Sequence, residues 1–236
     1  MRERPANMSA VRGFFITAVG TDIGKTLVTT ILCDQLTRAG VIVRALKPIV
    51  SGFAPDDPAS DPALILRSLG RAPSLYAVAA IAPWRFAAPV SPHLAARAEG
   101  KPIAIEAVAA FCQNQGDDHS VLLIEGAGGV MSPIDESHTV IDLIAALGLP
   151  VILVTGTYLG ALSHSLTALA ALDARKLRVQ GIVVSESTND VGLDMTIASL
   201  IPFAGEGMPI HALPRLAGTP EEKWRSAPSL TALCGV

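Results

Sequence analysis

The sequence predicts an α/β fold, a mostly parallel sheet with helices on both faces. Short apolar runs alternate with stretches of helical spacing along the chain. One run, Val121 to Ile124, has no polar alternation, the pattern of a strand buried on both faces. The residues rich in chemistry stand just after the apolar runs, where sheets of this kind bind ligands.

Taken in order, Phe14 to Val19 reads as the first strand and Lys25 to Arg38 as a helix with apolar residues at helical spacing. Val41 to Leu46 is the next strand. A polar, proline-containing loop follows, Pro48 to Ser60, and Asp61 to Leu69 reads as a short helix. Ser91-Pro92 opens another helix, with Ser at the N-cap and Pro at the first helical position. Ile105 to Gln115 is helical, Val121 to Ile124 a strand, and Val140 to Leu147 a helix. Val151 to Val154 is a strand, Leu162 to Leu172 a helix, and Gly181 to Val184 a strand. This alternation implies parallel strands joined by right-handed crossovers. No repeat, low-complexity tract or linker divides the chain. At about 150 residues per domain, its length fits one large domain or two small ones. The expectation is a loose tail over 1–12 and one domain over 13–236.

Composition narrows the function. Half of the 236 residues are apolar and 17% are charged, which excludes a disordered chain. A net charge of −3 argues against a nucleic-acid binder or a polybasic membrane binder, both of which need clustered Lys and Arg. Cys33, Cys112 and Cys234 lie far apart and form no CxxC, so neither a disulfide scaffold nor a zinc ribbon is expected. Asp142, Pro150 and Gly156 interrupt the most apolar stretch before it reaches about 18 residues, too short to span a bilayer. The opening MRERPANMSAVRG lacks a signal peptide's apolar core. The expectation is a soluble cytoplasmic protein.

Three loops carry chemistry. Gly20-Thr21-Asp22-Ile23-Gly24-Lys25-Thr26 lies between the first strand and its helix. A phosphate needs inward N–H groups, a helix N-terminus, a cation and a magnesium-binding hydroxyl, and Gly24-Lys25-Thr26 supplies these in strand–loop–helix context. The strict spacing is not met, since Val19 stands five residues before Gly24. The expected fold is therefore P-loop NTPase-like. Glu125, at the tip of the buried strand, stands where a carboxylate can coordinate Mg²⁺ beside a phosphate loop. Gly126-Ala127-Gly128-Gly129 after it would let the backbone approach phosphate or substrate. Lys47 ends the second strand at the head of Lys47-Pro48-Ile49-Val50-Ser51-Gly52. A solvated side chain is the usual reading of a lysine, but Lys47 ends an apolar strand at the same crevice and reads as a second cation that stabilises charge passing from nucleotide to acceptor. Asp61 reads as a helix N-cap or a metal ligand, and spacing alone favours the cap.

Together these loops resemble dethiobiotin synthetase, the ATP-dependent cyclising enzyme of biotin synthesis. The resemblance runs from about Phe14 to Leu216 and rests on TDIGKT (21–26), KPIVSG (47–52), SDPALI (60–65), FAAPVSPH (86–93), EGAGG (125–129), LPVILVTGTYLG (149–160) and LPRL (213–216). It implies an ATP-dependent C–N ligase, a homodimer that joins CO2 to 7,8-diaminononanoate. One amine forms a carbamate, MgATP phosphorylates it, and the other amine closes the ureido ring. By position, Asp22, Ile23, Gly24, Lys25, Thr26 and Leu27 would cradle the nucleotide phosphates. Thr26, Asp61 and Glu125 would hold Mg²⁺, with Gly126, Ala127 and Gly128 beside the nucleotide. Lys47 matches the family's active-site lysine, Ser51 its substrate-binding hydroxyl, and Thr21 its carbamate contact. Gly160, Ala161, Leu162 and Ser163, at a helix start, resemble the segment that holds the substrate carboxylate from across the dimer, a suitable anion site. The base would be met by Ser185 and Glu186, with Leu213, Pro214 and Arg215 close by.

The chain departs from the family at three places. Ala18-Val19-Gly20-Thr21 replaces the usual GTDT. Asp22 and Tyr158 stand where Glu and a basic residue are common. Ser185-Glu186 stands where the base-reading Asn is usual. Among the remaining candidates, His93 reads as part of a helix-capping neighbourhood. His164 reads as core or interface packing, His138 as exposed, and Cys33 as core. Two rival functions make different demands on the sequence. A partition or site-placement ATPase switch would carry an extra lysine at the head of the loop, and Phe15 to Val19 has none. An amidotransferase-like synthase would need a glutamine-hydrolysing domain, and the chain ends about 20 residues after LPRL.

Overall fold

The structure, a computed structural model, describes residues 12–188 and 190–236. In chain order its first half is β1 (Gly13–Ala18), α1 (Lys25–Arg38), β2 (Val43–Leu46), β3 (Ile49–Val50), α2 (Asp61–Ser68), α3 (Leu75–Ile81), β4 (Trp84–Arg85), α4 (Pro92–Ala98) and α5 (Ile105–Gln113). The second half is β5 (Val121–Glu125), α6 (Val140–Leu147), β6 (Val151–Gly156), α7 (Ala161–Ala174), β7 (Val179–Ser185), α8 (Leu193–Leu200), β8 (Ile210–Leu213) and α9 (Pro220–Ser226).

Six strands form one sheet in the order β2-β5-β1-β6-β7-β8, every pair parallel. β1, β5 and β6 are buried along their whole length, as their unalternating apolar runs require. One helical group packs α1 against α2 and α9, and another packs α5 against α6. Buried side chains of the central strands and these helices make a continuous apolar core, with a smaller cluster of Ile182, Val184, Leu200 and Ala204 under α8.

The order of strands places the site. β5 enters the sheet between β1 and β2, with Ile16 opposite Glu125 and Leu46 opposite Ile124. The carboxyl ends of these three strands therefore bring the loop after Ala18, Lys47 and Glu125 to one edge, although 78 residues separate Lys47 from Glu125.

Several expectations change. The helices at 25–38 and 140–147 end as the periodicity predicts. α3, α8, β8 and α9 go beyond the elements the sequence predicts, as does the two-stranded parallel sheet of β3 and β4, because two-residue strands carry no period. Ser91 holds the N-cap position of α4, but its hydroxyl meets Nδ1 of His93 at 3.1 Å and caps no amide. The expected tail lies outside the described residues except for Arg12, whose guanidinium reaches the carbonyls of Cys234 and Gly235.

Candidate active site

The loop from Val19 to Gly24 turns the chain from β1 into α1. Gly24, the N-cap, has φ 103°, a left-handed conformation that a side chain rarely tolerates. A β-carbon there would also lie 2.8 Å from Oγ of Ser185, so only hydrogen fits between the loop and β7. Lys25, the first helical residue, is buried and donates from Nζ to the carbonyl of Gly20 at 2.8 Å, closing the loop on itself. Burial, and then the charge of Lys47, pull the Lys25 ammonium down to about 8.

Beside the loop lies a charged cluster. Nζ of Lys47 is 2.6 Å from Oε1 of Glu125, 2.8 Å from Oδ2 of Asp61 and 3.1 Å from the carbonyl of Gly126. Its three protons thus meet three acceptors. Burial alone would depress this lysine, but the charges of Glu125 and then Asp61 outweigh it and hold the ammonium above its ordinary range. Asp61, with burial opposing, is held low by the same lysine. A solvated reading of Lys47 is therefore excluded, since it is 4% exposed. The cap reading of Asp61 also fails: Ser60 holds the N-cap position of α2, and the Asp61 carboxylate turns to Thr26 and Lys47.

Oγ1 of Thr26 stands 2.8 Å from Oδ1 of Asp61 and 2.8 Å from Oε1 of Glu125. One hydroxyl proton serves only one of them at a time. Oε2 of Glu125 is buried without a hydrogen-bond partner, a costly state for a carboxylate oxygen. A hydroxyl and two carboxylates, one with an orphaned oxygen, form a hard-oxygen set that fits Mg²⁺, which takes its other ligands from phosphates and water. Among the described residues no group of three or more His, Cys, Asp or Glu forms a fuller cage.

The phosphate loop separates two clefts. One, of about 530 Å³, is lined by Thr21, Lys25, Lys47, Ser51, Asp61, Ala127 and Gly128, together with Asp57, Ala59 and Ser60 from the long loop. The other, of about 610 Å³, is lined by Ile23, Ser185, Glu186, Pro214 and Arg215, together with Tyr158, Lys223 and Trp224. Asp22, Gly24, Thr26 and Leu27 face both. Three residues of the second cleft that sequence reading missed, Pro220, Lys223 and Trp224, come from α9. Thr219 and Glu222 form a capping box there, a Thr-x-x-Glu signal that marks the helix start.

Other expected residues land elsewhere. Leu213 is fully buried at the end of β8 and does not line the cleft; its carbonyl accepts the amide of Glu186 at 2.9 Å. Oε2 of Glu186 accepts the backbone N–H of Arg215 at 2.6 Å, so this oxygen holds a loop. Gly126 lines neither cleft, and its amide donates to Ile16. Gly129 presses on the phosphate loop, because a β-carbon there would lie 3.1 Å from the amide nitrogen of Gly20 and 3.2 Å from the Ala18 carbonyl. Gly126 and Gly129 of EGAGG thus serve close packing, on Phe15 and on the phosphate loop. Gly160, Ala161, Leu162 and Ser163 open α7 and line neither cleft. His164 is exposed and meets the hydroxyl of Tyr158 at 2.7 Å, so the core reading fails. His138, half-exposed, pairs with Asp135 at 2.9 Å, and Cys33 is buried, its thiol pushed to about 12.

Known proteins resemble this chain over most of its length. The AAA domain family matches residues 12–222. An ATP-dependent dethiobiotin synthetase BioD of Caulobacter sp. (strain K31) is 49% identical over 207 residues, covering 85% of this chain and 87% of that protein. The chain belongs to the dethiobiotin synthetase family. Synthetases of the same name from Acidiphilium cryptum (strain JF-5) and Methylobacterium nodulans (strain LMG 21967 / CNCM I-2342 / ORS 2060) are 42% and 40% identical. They cover 83% and 88% of this chain, and it covers 90% and 95% of them. Among solved structures, a ParA family ATPase from Chlorobium tepidum TLS superposes with a TM-score of 0.54 at 15% identity, covering 95% of this chain and 93% of that one. That likeness is one of fold, a P-loop NTPase-like sheet.

Proposed function

We propose that the chain is an ATP-dependent dethiobiotin synthetase, a ligase that closes the ureido ring of dethiobiotin from 7,8-diaminononanoate, CO2 and ATP. The observation that carries this reading is the pair of clefts on either side of one phosphate loop, with Lys47 beside the loop in the first. Such an arrangement suits transfer of a phosphoryl group from a nucleotide in one cleft to a small acceptor in the other.

In this reading one amine of the diamine adds to CO2 and loses a proton, giving a carbamate. A carbamate oxygen attacks the γ-phosphorus of ATP, ADP leaves, and a carbamic–phosphoric anhydride forms. The second amine attacks its carbonyl carbon, phosphate departs, and the ring closes. The protein positions and stabilises charge in such a transfer. Lys25 and the amides of Asp22 to Leu27 face the nucleotide phosphates, and Lys47 offsets charge on the transferring group. Thr21 and Ser51 meet the carbamate and the acceptor. Thr26, Asp61 and Glu125 would hold Mg²⁺, which when bound neutralises phosphate charge. Gly160 to Ser163 would receive the acceptor's carboxylate from the partner of a homodimer, at the N-terminus of α7. Ser185, Glu186, Pro214 and Arg215 face the base. The enzyme would act in the cytoplasm as one domain over residues 13–236; no described helix is long and apolar enough to cross a membrane.

The test is mass-spectrometric detection of dethiobiotin from diamine, bicarbonate and MgATP, with phosphate release dependent on both diamine and bicarbonate. Comparable release with MgATP alone would overturn the reading in favour of a switch ATPase.

A further inference from the structure

The wall that carries Lys47 and Ser51 is supported from outside the six-stranded sheet. Lys47 N–H donates to the Ile81 carbonyl at 3.1 Å, and Trp84 N–H to the Pro48 carbonyl at 3.1 Å. β3 and β4 pair in parallel, Ile49 with Trp84 and Val50 with Arg85. Beyond them Phe86 N–H donates to Val50 at 2.8 Å, Phe53 N–H to Phe86 at 2.8 Å and Gly52 N–H to Ala88 at 3.0 Å. Pro89 packs on Gly52, and the Arg85 guanidinium lies 5.5 Å from the ring centre of Phe53. Every residue from Lys47 to Phe53 except Ser51 is thus bonded to, or paired with, the segment 81–89.

A two-stranded pair of two residues each is marginal by itself. Phe86 is buried in the core and Trp84 packs edge-on against Phe111, and one further side chain holds the backbone between Phe86 and Ala88. Oε1 of Glu99, the residue after α4, accepts the N–H of Ala87 at 2.6 Å, and Nζ of Lys101 holds the other oxygen at 2.9 Å. Ala87 lies between the two residues whose carbonyls carry Gly52 and Phe53.

We propose that Glu99 is a positioning residue for the acceptor side of the site: it latches the 86–89 segment, which sets the place of Ser51 without touching substrate. Among the described residues no hydrogen bond joins the phosphate loop to this latch, so the effect falls on the acceptor and spares the nucleotide. The kinetic part rests on the reading of Ser51 as an acceptor contact; the structural part does not.

The experiment compares Glu99→Ala and Glu99→Gln in the full chain by amide hydrogen exchange and steady-state kinetics. Glu99→Ala should speed exchange at Gly52 and Phe53 and leave the 20–26 loop unchanged. It should raise KM for the diamine about fivefold, with kcat and KM for ATP unaltered, the mark of lost uniform binding. Glu99→Gln, whose amide oxygen still accepts from Ala87, should restore both. Unchanged exchange at 52–53, or KM for ATP rising in step with KM for the diamine, would overturn the latch. The exchange arm needs no substrate, so faster exchange in a protein inert toward the diamine would support the latch and count only against the functional reading.

Discussion

The ammonium of Lys47 lies 2.6 Å from Oε1 of Glu125, and the two side chains are 5% and 0% exposed. Removing one member of such a pair strands the other in a place water does not reach. Glu125→Gln should destabilise the fold by about 3 kcal/mol, the low end for breaking a buried pair, because Asp61 still faces the lysine. Lys47→Ala should also destabilise, by stranding Glu125 and by removing a buried side chain. Denaturant unfolding of both single variants and the double variant gives the coupling. Additive losses would show that the pair contributes nothing to stability.

Lys25 behaves differently, because its protein partner is one carbonyl of its own loop, at Gly20. Lys25→Ala should cost about 1 kcal/mol of stability, the net worth of a hydrogen bond. Turnover should fall about a hundredfold or more, mainly in kcat, as when a donor to transition-state charge is lost. Kinetics and thermal melts on the same sample check both halves. A variant with near-normal kcat would remove Lys25 from the chemistry.

Gly160 to Ser163 lie outside both clefts of their own chain, which in the proposed homodimer is where a segment serving the partner should be. A heterodimer of one Lys47→Ala chain and one Ser163→Asp chain should recover one working site, while each homodimer stays impaired. Activity of mixed, size-verified heterodimers is the measurement. Absence of rescue would show that the sites are not shared.

The base side offers few readers. Ser185 is 9% exposed with its hydroxyl against Gly24, and one oxygen of Glu186 is taken by the Arg215 amide. A bidentate pair with adenine is worth about 1–3 kcal/mol, and neither the single hydroxyl of Ser185 nor the carboxylate of Glu186 offers a donor and an acceptor together. Preference for ATP over at least one of CTP and GTP should therefore stay under about tenfold in kcat/KM, or 1.4 kcal/mol. Ser185→Asn should raise it. A preference above about a hundredfold over both, unchanged by that substitution, would place base reading elsewhere.

Much of this protein is written locally. The helix from Lys25 to Arg38 and that from Val140 to Leu147 stand at their predicted bounds, because helical period and turn residues are properties of consecutive positions. Strand–loop–helix context likewise exposed Gly24-Lys25-Thr26, whose roles depend on neighbours within one turn. Place at the end of an apolar strand singles out Lys47 and Glu125 by sequence alone, and the resemblance of KPIVSG and EGAGG to a known family points to the same two residues.

What those two residues do to each other was decided by tertiary structure. Whether a lysine is solvated or buried against a carboxylate depends on which strand lies beside it. β5, reached only after Val121, enters between β1 and β2. The same holds for Asp61, which spacing assigned to a cap and the fold turned toward Lys47, and for Gly129, whose lack of a side chain matters because Gly20 lies against it. β3 and β4 are the extreme case, two-residue strands with no period of their own, ordered by hydrogen bonds to each other and by a carboxylate at Glu99. Periodicity is set along the chain, so the sequence shows it; burial and pairing are set across the chain, so they exist only once the strands have found their order.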